Sequence, residues 1–326
     1  MAMARDTAVV LLNMGAPERP EEDAVRAFLY ELFADPYIIQ LPLGRLYQKS
    51  LARVIAKKRA PLMLPHYKEI GGSPLLPQTI AQAAALEKLV DMPVHVAMRY
   101  SPPRAHELMS TLRAAGTKRV ILLPMYPQYS RTTSTSSVVE LADLCRREGI
   151  AVTAIDSYPD RDKYIDTLAA RWHETTDGKT FDPAKTHVLF TAHGVPVIYV
   201  KRGDPYIDQV GRTMAKIREK LPPELNVSIA YQSRLGPVEW MKPYLDKEVV
   251  RLGNEGIKTL VMFPITFVSE HLETLYELDV QVAEMAHEAG VEEVLRVRTA
   301  MDHPIFIGLL ADLVREGLAR SEAGDA

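Results

Sequence analysis

Eight stretches of the chain read as strands, because apolar residues run together or alternate with period 2 over six to nine positions. They are Ala8–Asn13, Val94–Tyr100, Arg119–Pro127, Ala151–Ser157, His187–His193, Val227–Ser233, Thr259–Phe267 and Glu292–Thr299. Between them the apolar period lengthens to that of a helix, as in Pro77–Val90, Pro103–Ala115, Ser136–Glu148, Tyr206–Leu221, Pro237–Gly253 and Leu272–Ala289. Alternation of this kind predicts an α/β fold with mainly parallel sheets and right-handed crossovers.

The eight strands fall into two sets of four with related texture. Leu11-Leu-Asn-Met-Gly-Ala-Pro17 resembles Phe190-Thr-Ala-His-Gly-Val-Pro196, and Val120–Pro127 resembles Leu260–Phe267. The pattern predicts two similar α/β halves, residues 1–160 and 161–326, with the last helix free to pack back on the first half. The first two strands of the N-terminal half stand roughly 80 residues apart, against about 35 in the C-terminal half, where a compact βαβ unit needs ~30. The excess is an insertion at about residues 16–77. It carries the apolar runs Phe28–Phe33, Tyr37–Gly44 and Pro61–Tyr67 around the basic cluster Arg53, Lys57, Lys58 and Arg59. One reading is an apolar lip suited to a flat hydrophobic ligand bearing acids, or to a membrane surface; the other is an amphipathic helical hairpin packed on its own domain.

The run Phe267–Asp279 changes from strand to helix period and sets Glu270, Glu273 and Glu277 at i, i+3 and i+7, on one helical face. Like charges so spaced repel by roughly 0.2–0.5 kcal/mol a pair in an isolated helix. Between Lys258 and Arg296 the chain has eight acidic residues and no Lys or Arg, so nothing nearby in sequence offsets them. A stripe of this kind just past a strand's carboxyl end suits a cation or protons. It also suits a solvated helix start, where the dipole favours acids and Ser269 is placed to cap, with Leu272, Leu275, Tyr276 and Val280 inward.

Composition narrows the function. With 326 residues, 47% hydrophobic and 25% charged, the chain is that of a globular protein large enough for two domains. A net charge of −3 offers no basic face for nucleic acid. The single cysteine, Cys145, excludes an internal disulfide framework and a four-cysteine metal site within the chain. The N-terminal apolar run Ala8–Leu12 is too short for a signal or spanning segment, so the expected place is the cytoplasm, with a peripheral contact at the inner membrane face left open.

Ligands of open α/β sheets lie beyond the carboxyl ends of strands. By that criterion the candidates are Met14, Arg99, Tyr100, Tyr126 and Tyr129 in the first half, and His193, Gln232, Ser233 and the acidic stripe in the second. Imidazole with carboxylate suits a first-row divalent metal, and neutral His is also a base near pH 7. Gly15-Ala-Pro-Glu18 is no dinucleotide fingerprint, no phosphate-binding Gly-Lys-Ser/Thr loop is present, and His193 has no Gly-x-Ser-x-Gly elbow beside it. The run Ser130–Ser137 fits either anion binding or ordinary capping.

Several blocks also resemble one family in order along the chain. They are Ile70-Gly-Gly-Ser-Pro74, Tyr126-Pro-Gln-Tyr-Ser130, Thr191-Ala-His-Gly-Val-Pro196, Arg202-Gly-Asp-Pro-Tyr206, Gln232-Ser-Arg-Leu-Gly-Pro237 and His271-Leu-Glu-Thr-Leu-Tyr-Glu-Leu-Asp279. The family is ferrochelatase, which inserts ferrous iron into a porphyrin. The resemblance implies two Rossmann-like halves, each a mainly four-stranded parallel sheet, with a cleft between them. It implies a lyase acting at the terminal step of haem synthesis, by bending the macrocycle and removing two pyrrole protons.

Carried over by position, His193 and Glu273 are the catalytic and metal-site pair, and Glu277 then Glu270 continue an acidic path on a locally widened helix. Met14, Tyr67, Ser73, Arg99, Tyr129 and Trp240 line the porphyrin pocket, and Lys58 and Arg59 meet its propionates. Glu270 stands where a related vertebrate enzyme has Asp, and Gln281 replaces an acid at the outer end of the path. Met14 and the long insertion resemble members that use protoporphyrin IX. Coproporphyrin III insertion, cobalt insertion and porphyrin or haem carriage without catalysis are the alternatives. Iron and porphyrin are substrates; no tightly bound cofactor and no iron–sulfur cluster are expected, and the family includes monomers and homodimers.

Overall fold

The computed structural model describes residues 6–39 and 47–324; residues 40–44 of the apolar run at 37–44 lie outside them. All eight strands form: β1 Thr7–Asn13, β2 Val94–Met98, β3 Arg119–Pro124, β4 Ala151–Ala154, β5 Thr186–His193, β6 Asn226–Gln232, β7 Thr259–Pro264 and β8 Glu293–Arg296. They build two parallel sheets, ordered β2-β1-β3-β4 and β6-β5-β7-β8. The repeated order is the structural counterpart of the repeated sequence texture. In each sheet the central strands are covered on both faces, and β1 is buried along its whole length, as a parallel sheet flanked by helices requires.

The helices are α1 Glu22–Ala34, α2 Gln48–Glu69, α3 Leu75–Glu87, α4 Ala105–Ala114, α5 Ser136–Arg147, α6 Asp162–Thr176, α7 Val197–Lys201, α8 Tyr206–Arg218, α9 Leu245–Asn254, α10 Ala283–Glu288 and α11 Pro304–Glu322. Two π-helical segments, Arg131–Thr135 and Glu273–Val282, run directly into α5 and α10. The helix expected over Pro237–Gly253 starts only at Leu245, because Pro243 disfavours helical backbone at the residue before it and residue 244 pairs with Tyr231 of β6.

Contacts divide the chain into two compact units. Residues 1–126, 130–157 and 306–326 form the first; 127–129 and 158–305 form the second. The C-terminal helix α11 thus belongs to the unit of the first sheet, where Gly317 lies so close to β3 that an added Cβ would stand 3.0 Å from Ile121 Cγ2. Within that unit the insertion is a helical pair. α1 buries Val25, Phe28, Leu29 and Phe33, and α2 turns Tyr67 inward with Ala52, Ala56 and Ala60, three small residues four apart that let the helices approach. Its other face leaves Tyr47, Val54 and Leu62 exposed beside Lys57 and Lys58.

Strand order fixes where a ligand belongs. Connections leave β1 and β3 to opposite sides of the first sheet, and β5 and β7 to opposite sides of the second, so each sheet has its switch point between those strands. In the second unit the residue at the end of β5 is His193, and β7 leads to the glutamates.

Candidate functional site

His193 closes β5 as its one half-exposed residue after seven buried ones. Its Nδ1 lies 2.6 Å from the carbonyl oxygen of Gly194, which only accepts, so the proton is on Nδ1. Nε2 faces the other way, 3.7 Å from Glu273 Oε1. Glu273 Oε2 is buried and receives no hydrogen bond from the described residues. A buried carboxylate oxygen left without a donor is costly, by about 1–3 kcal/mol or more for a charged group, unless it takes a proton or a cation. An imidazole nitrogen and a carboxylate oxygen presented together are a donor set for a divalent first-row metal or a pair of proton acceptors. Among the described residues no third His, Cys, Asp or Glu completes a cage.

The glutamates do not share one α-helical face. Residues 273–282 are π-helical, with i→i+5 hydrogen bonding and widened turns, so residues four apart come nearly into line. Thr274, Leu278 and Val282 are buried in this way, whereas Leu275, Tyr276 and Val280, expected inward, are only half-buried. The same spacing keeps Glu277 with Glu273. Gln232 Nε2 donates to the Glu273 carbonyl at 3.1 Å and to Glu277 Oε2 at 3.4 Å, and Ser233 Oγ lies 3.4 Å from the same carboxylate oxygen. Trp240 stands edge-on to His193, ring centres 6.4 Å apart, with its indole N–H tied to the Leu235 carbonyl. At the mouth of the π-helix, His271 Nδ1 accepts from the Glu273 backbone N–H at 3.1 Å, and burial holds that imidazole below its ordinary range.

The expectation that nothing offsets the acidic stripe needs correction at Glu270. That residue precedes the π-helix, is buried, and takes Arg296 Nη1 at 3.0 Å and the Thr299 N–H and hydroxyl at 2.9 and 3.1 Å. Burial alone would raise its pKa; the Arg296 charge, then the Thr274 hydroxyl and the Thr299 N–H, outweigh burial and hold it below the usual carboxylate range. The cation that offsets it stands 26 positions further along the chain and returns through the β8 edge of the sheet.

The remaining predicted residues stand on separate elements. Tyr129 is half-buried, its N–H held by Gln209 Oε1 at 2.7 Å. In the first unit Met14 follows β1, its N–H bound to the Asn13 side chain, and Ser73 Oγ stands at the start of α3, 3.4 Å from the Leu75 N–H. Lys58 is exposed on α2, Arg59 is half-buried and Tyr67 is buried. Arg99 follows β2 and is fully engaged: Nη2 to Asp35 Oδ2 at 2.8 Å, Nε to Ser136 Oγ at 2.8 Å and Nη1 to Glu140 at 3.0 Å. Asp35 escaped the sequence reading. The signal available was an Arg directly after a strand with no carboxylate near it in sequence.

The ferrochelatase family profile matches residues 6–318 of the chain. This chain belongs to the ferrochelatase family. Ferrochelatase from Synechococcus elongatus is 43% identical over 321 residues, which cover 95% of this chain and 82% of that one. Ferrochelatase from Gloeobacter violaceus is 40% identical, with 96% and 98% covered. Among solved structures, SirB from Bacillus subtilis with Fe3+ shares the fold, with a TM-score of 0.56 at 12% identity and 98% of each chain covered. The protein is accordingly an enzyme, a metal–porphyrin chelatase, and iron and a porphyrin are its substrates. As a ferrochelatase it has no helix, among the described residues, long and apolar enough to cross a membrane.

Proposed function

We propose that this ferrochelatase inserts ferrous iron into protoporphyrin IX through the His193–Glu273 pair, which takes the pyrrole protons and passes the metal. The reaction releases two N–H protons as one Fe2+ enters, so the site needs two proton acceptors and no lasting metal cage. His193, through Nε2 of the neutral imidazole, and Glu273 are those acceptors, 3.7 Å apart. The observation that carries this reading is the buried Oε2 of Glu273, which has no donor among the described residues, on the carboxylate beside His193 Nε2. Glu277, next on the π-helix, is the onward carrier between the site and solvent. A porphyrin held bent binds better near the transition state than in the flat ground state, which lowers the barrier to metal entry. Met14 supports protoporphyrin IX over coproporphyrin III. The lone Cys145, buried in a helix, supports iron as substrate and not as a held cluster. The exposed Tyr47, Val54 and Leu62 beside Lys57 and Lys58 support a peripheral contact with an anionic lipid surface.

Replacing His193 with Ala or Glu273 with Gln should reduce iron insertion by at least the 10²-fold typical of a lost acid–base group. Fluorescence titration should show protoporphyrin still bound. Insertion at the wild-type rate by either variant removes that residue from the mechanism. Side-by-side steady-state rates with protoporphyrin IX and coproporphyrin III, and with Fe2+ and Co2+, decide the substrate.

A further inference from the structure

We propose that Gln232 is the positioning residue that fixes the separation of His193 and Glu273, an inference that rests on the proposed role of that pair. Gln232 ends β6 directly opposite His193 in the parallel ladder and is 2% exposed. Its backbone carbonyl accepts the Gly194 N–H at 2.8 Å, and the Gly194 carbonyl in turn accepts the His193 Nδ1–H. Its side-chain amide nitrogen reaches the other way, to the Glu273 carbonyl and the Glu277 carboxylate. One residue is thus bonded through its main chain to the loop that aims the imidazole, and through its side chain to the π-helix that carries both glutamates.

The chemistry of the two acceptors explains the residue type. A backbone carbonyl and a carboxylate both need N–H donors, and an amide NH2 supplies two from one atom. Glu at this position would oppose Glu277, Asn would fall one methylene short, and Leu would match the shape without donating. The grip falls on the Glu273 backbone, so Glu273 is held in place while its buried Oε2 stays available for a proton or metal. Ser233, the next residue, is one of two non-glycine residues with positive φ among the described residues, at φ 59°, and presents Oγ to Glu277 Oε2. Strain of that kind persists only where the surroundings over-determine the backbone.

The test uses Gln232→Leu and Gln232→Asn in the full chain, measuring kcat and KM for Fe2+ and for protoporphyrin separately, protoporphyrin binding by fluorescence quenching, and thermal stability. The expected result is a fall of about 10–100-fold in kcat/KM for iron, as for supports of metal ligands, with protoporphyrin affinity unchanged within about twofold. Should the Leu variant fail to fold, the Asn variant decides, since it keeps an amide. The proposal is overturned if both variants retain wild-type iron kinetics while His193→Ala is inactive. It is equally overturned if iron turnover, porphyrin binding and stability decline together, the mark of a merely structural side chain. Activity in His193→Ala itself would instead remove the pair on which the inference stands.

Discussion

Arg296 holds Glu270 from 26 residues away, Nη1 to Oε1 at 3.0 Å, and clasps Asp279 with Nε and Nη2 at 2.5 and 2.9 Å. One guanidinium thus fastens the loop before the π-helix and the middle of the π-helix to the edge strand β8. Glu270 is thereby neutralised within the fold, which leaves Glu273 and Glu277 as the carboxylates of the proposed path.

Glu270→Ala should therefore cost stability more than turnover. Removing one partner of a buried pair costs about 3–5 kcal/mol, here nearer the lower figure because Asp279 stays on the guanidinium. Urea unfolding measures it. The sign with pH follows from the lowered folded value of Glu270: its contribution is full above the unfolded carboxylate value of about 4.3 and is lost as pH falls through the folded value. The stability gap between the wild-type chain and Glu270→Gln should close in acid; a gap that stays constant to low pH would show that the charge of Glu270 is not what stabilises the fold.

Asp35 makes a second buried anchor. Its side chain is 1% exposed and accepts from Arg99, from Tyr100 at 3.0 Å and from Ser136 at 2.5 Å, joining the end of α1 to β2 and α5. Asp35→Ala should lower unfolding free energy by about 3–5 kcal/mol, because it strands part of the Arg99 charge in a buried place. Arg99→Lys should also destabilise, since an ammonium cannot reproduce the three-way fork. Denaturant midpoints unchanged in both variants would refute the anchor.

Gly194 has no room for a side chain. An added Cβ would stand 2.7 Å from the Gln232 carbonyl oxygen and 3.2 Å from that of Ser233. Gly194→Ala must push the His193 loop off β6, at about 1–3 kcal/mol for a forced shift of this kind. The expected outcome is a lower melting temperature together with reduced iron insertion. An Ala variant equal to wild type in both would mean that the loop relaxes freely.

Cys145 should be inert in the native protein. It is buried in α5, and burial pushes its thiol up to about 11, so little thiolate exists at neutral pH. A chromogenic disulfide reagent should react in denaturant and not before it; rapid labelling of the folded chain would contradict the buried placement.

Periodicity alone determined the alternation of strands and helices, because a parallel strand buried on both faces and an amphipathic helix leave different spacings of apolar residues. It also marked the duplication and the insertion, and placed His193 and the glutamates at the carboxyl ends of strands, where α/β sheets bind ligands. Family blocks supplied roles for those residues. Tertiary structure decided the rest. Pairing by charge acts through space, so Arg296 and Asp35, remote in sequence from Glu270 and Arg99, left no local trace. Helix type was equally hidden: the residues of 273–282 fit an α-helix by propensity, and the wider turn that keeps Glu273 with Glu277 shows only in the structure. The carbonyl of Gly194 selects the imidazole tautomer, and the amide of Gln232 grips the π-helix. Both depend on β5 and β6 lying side by side, which the order of strands along the chain does not state.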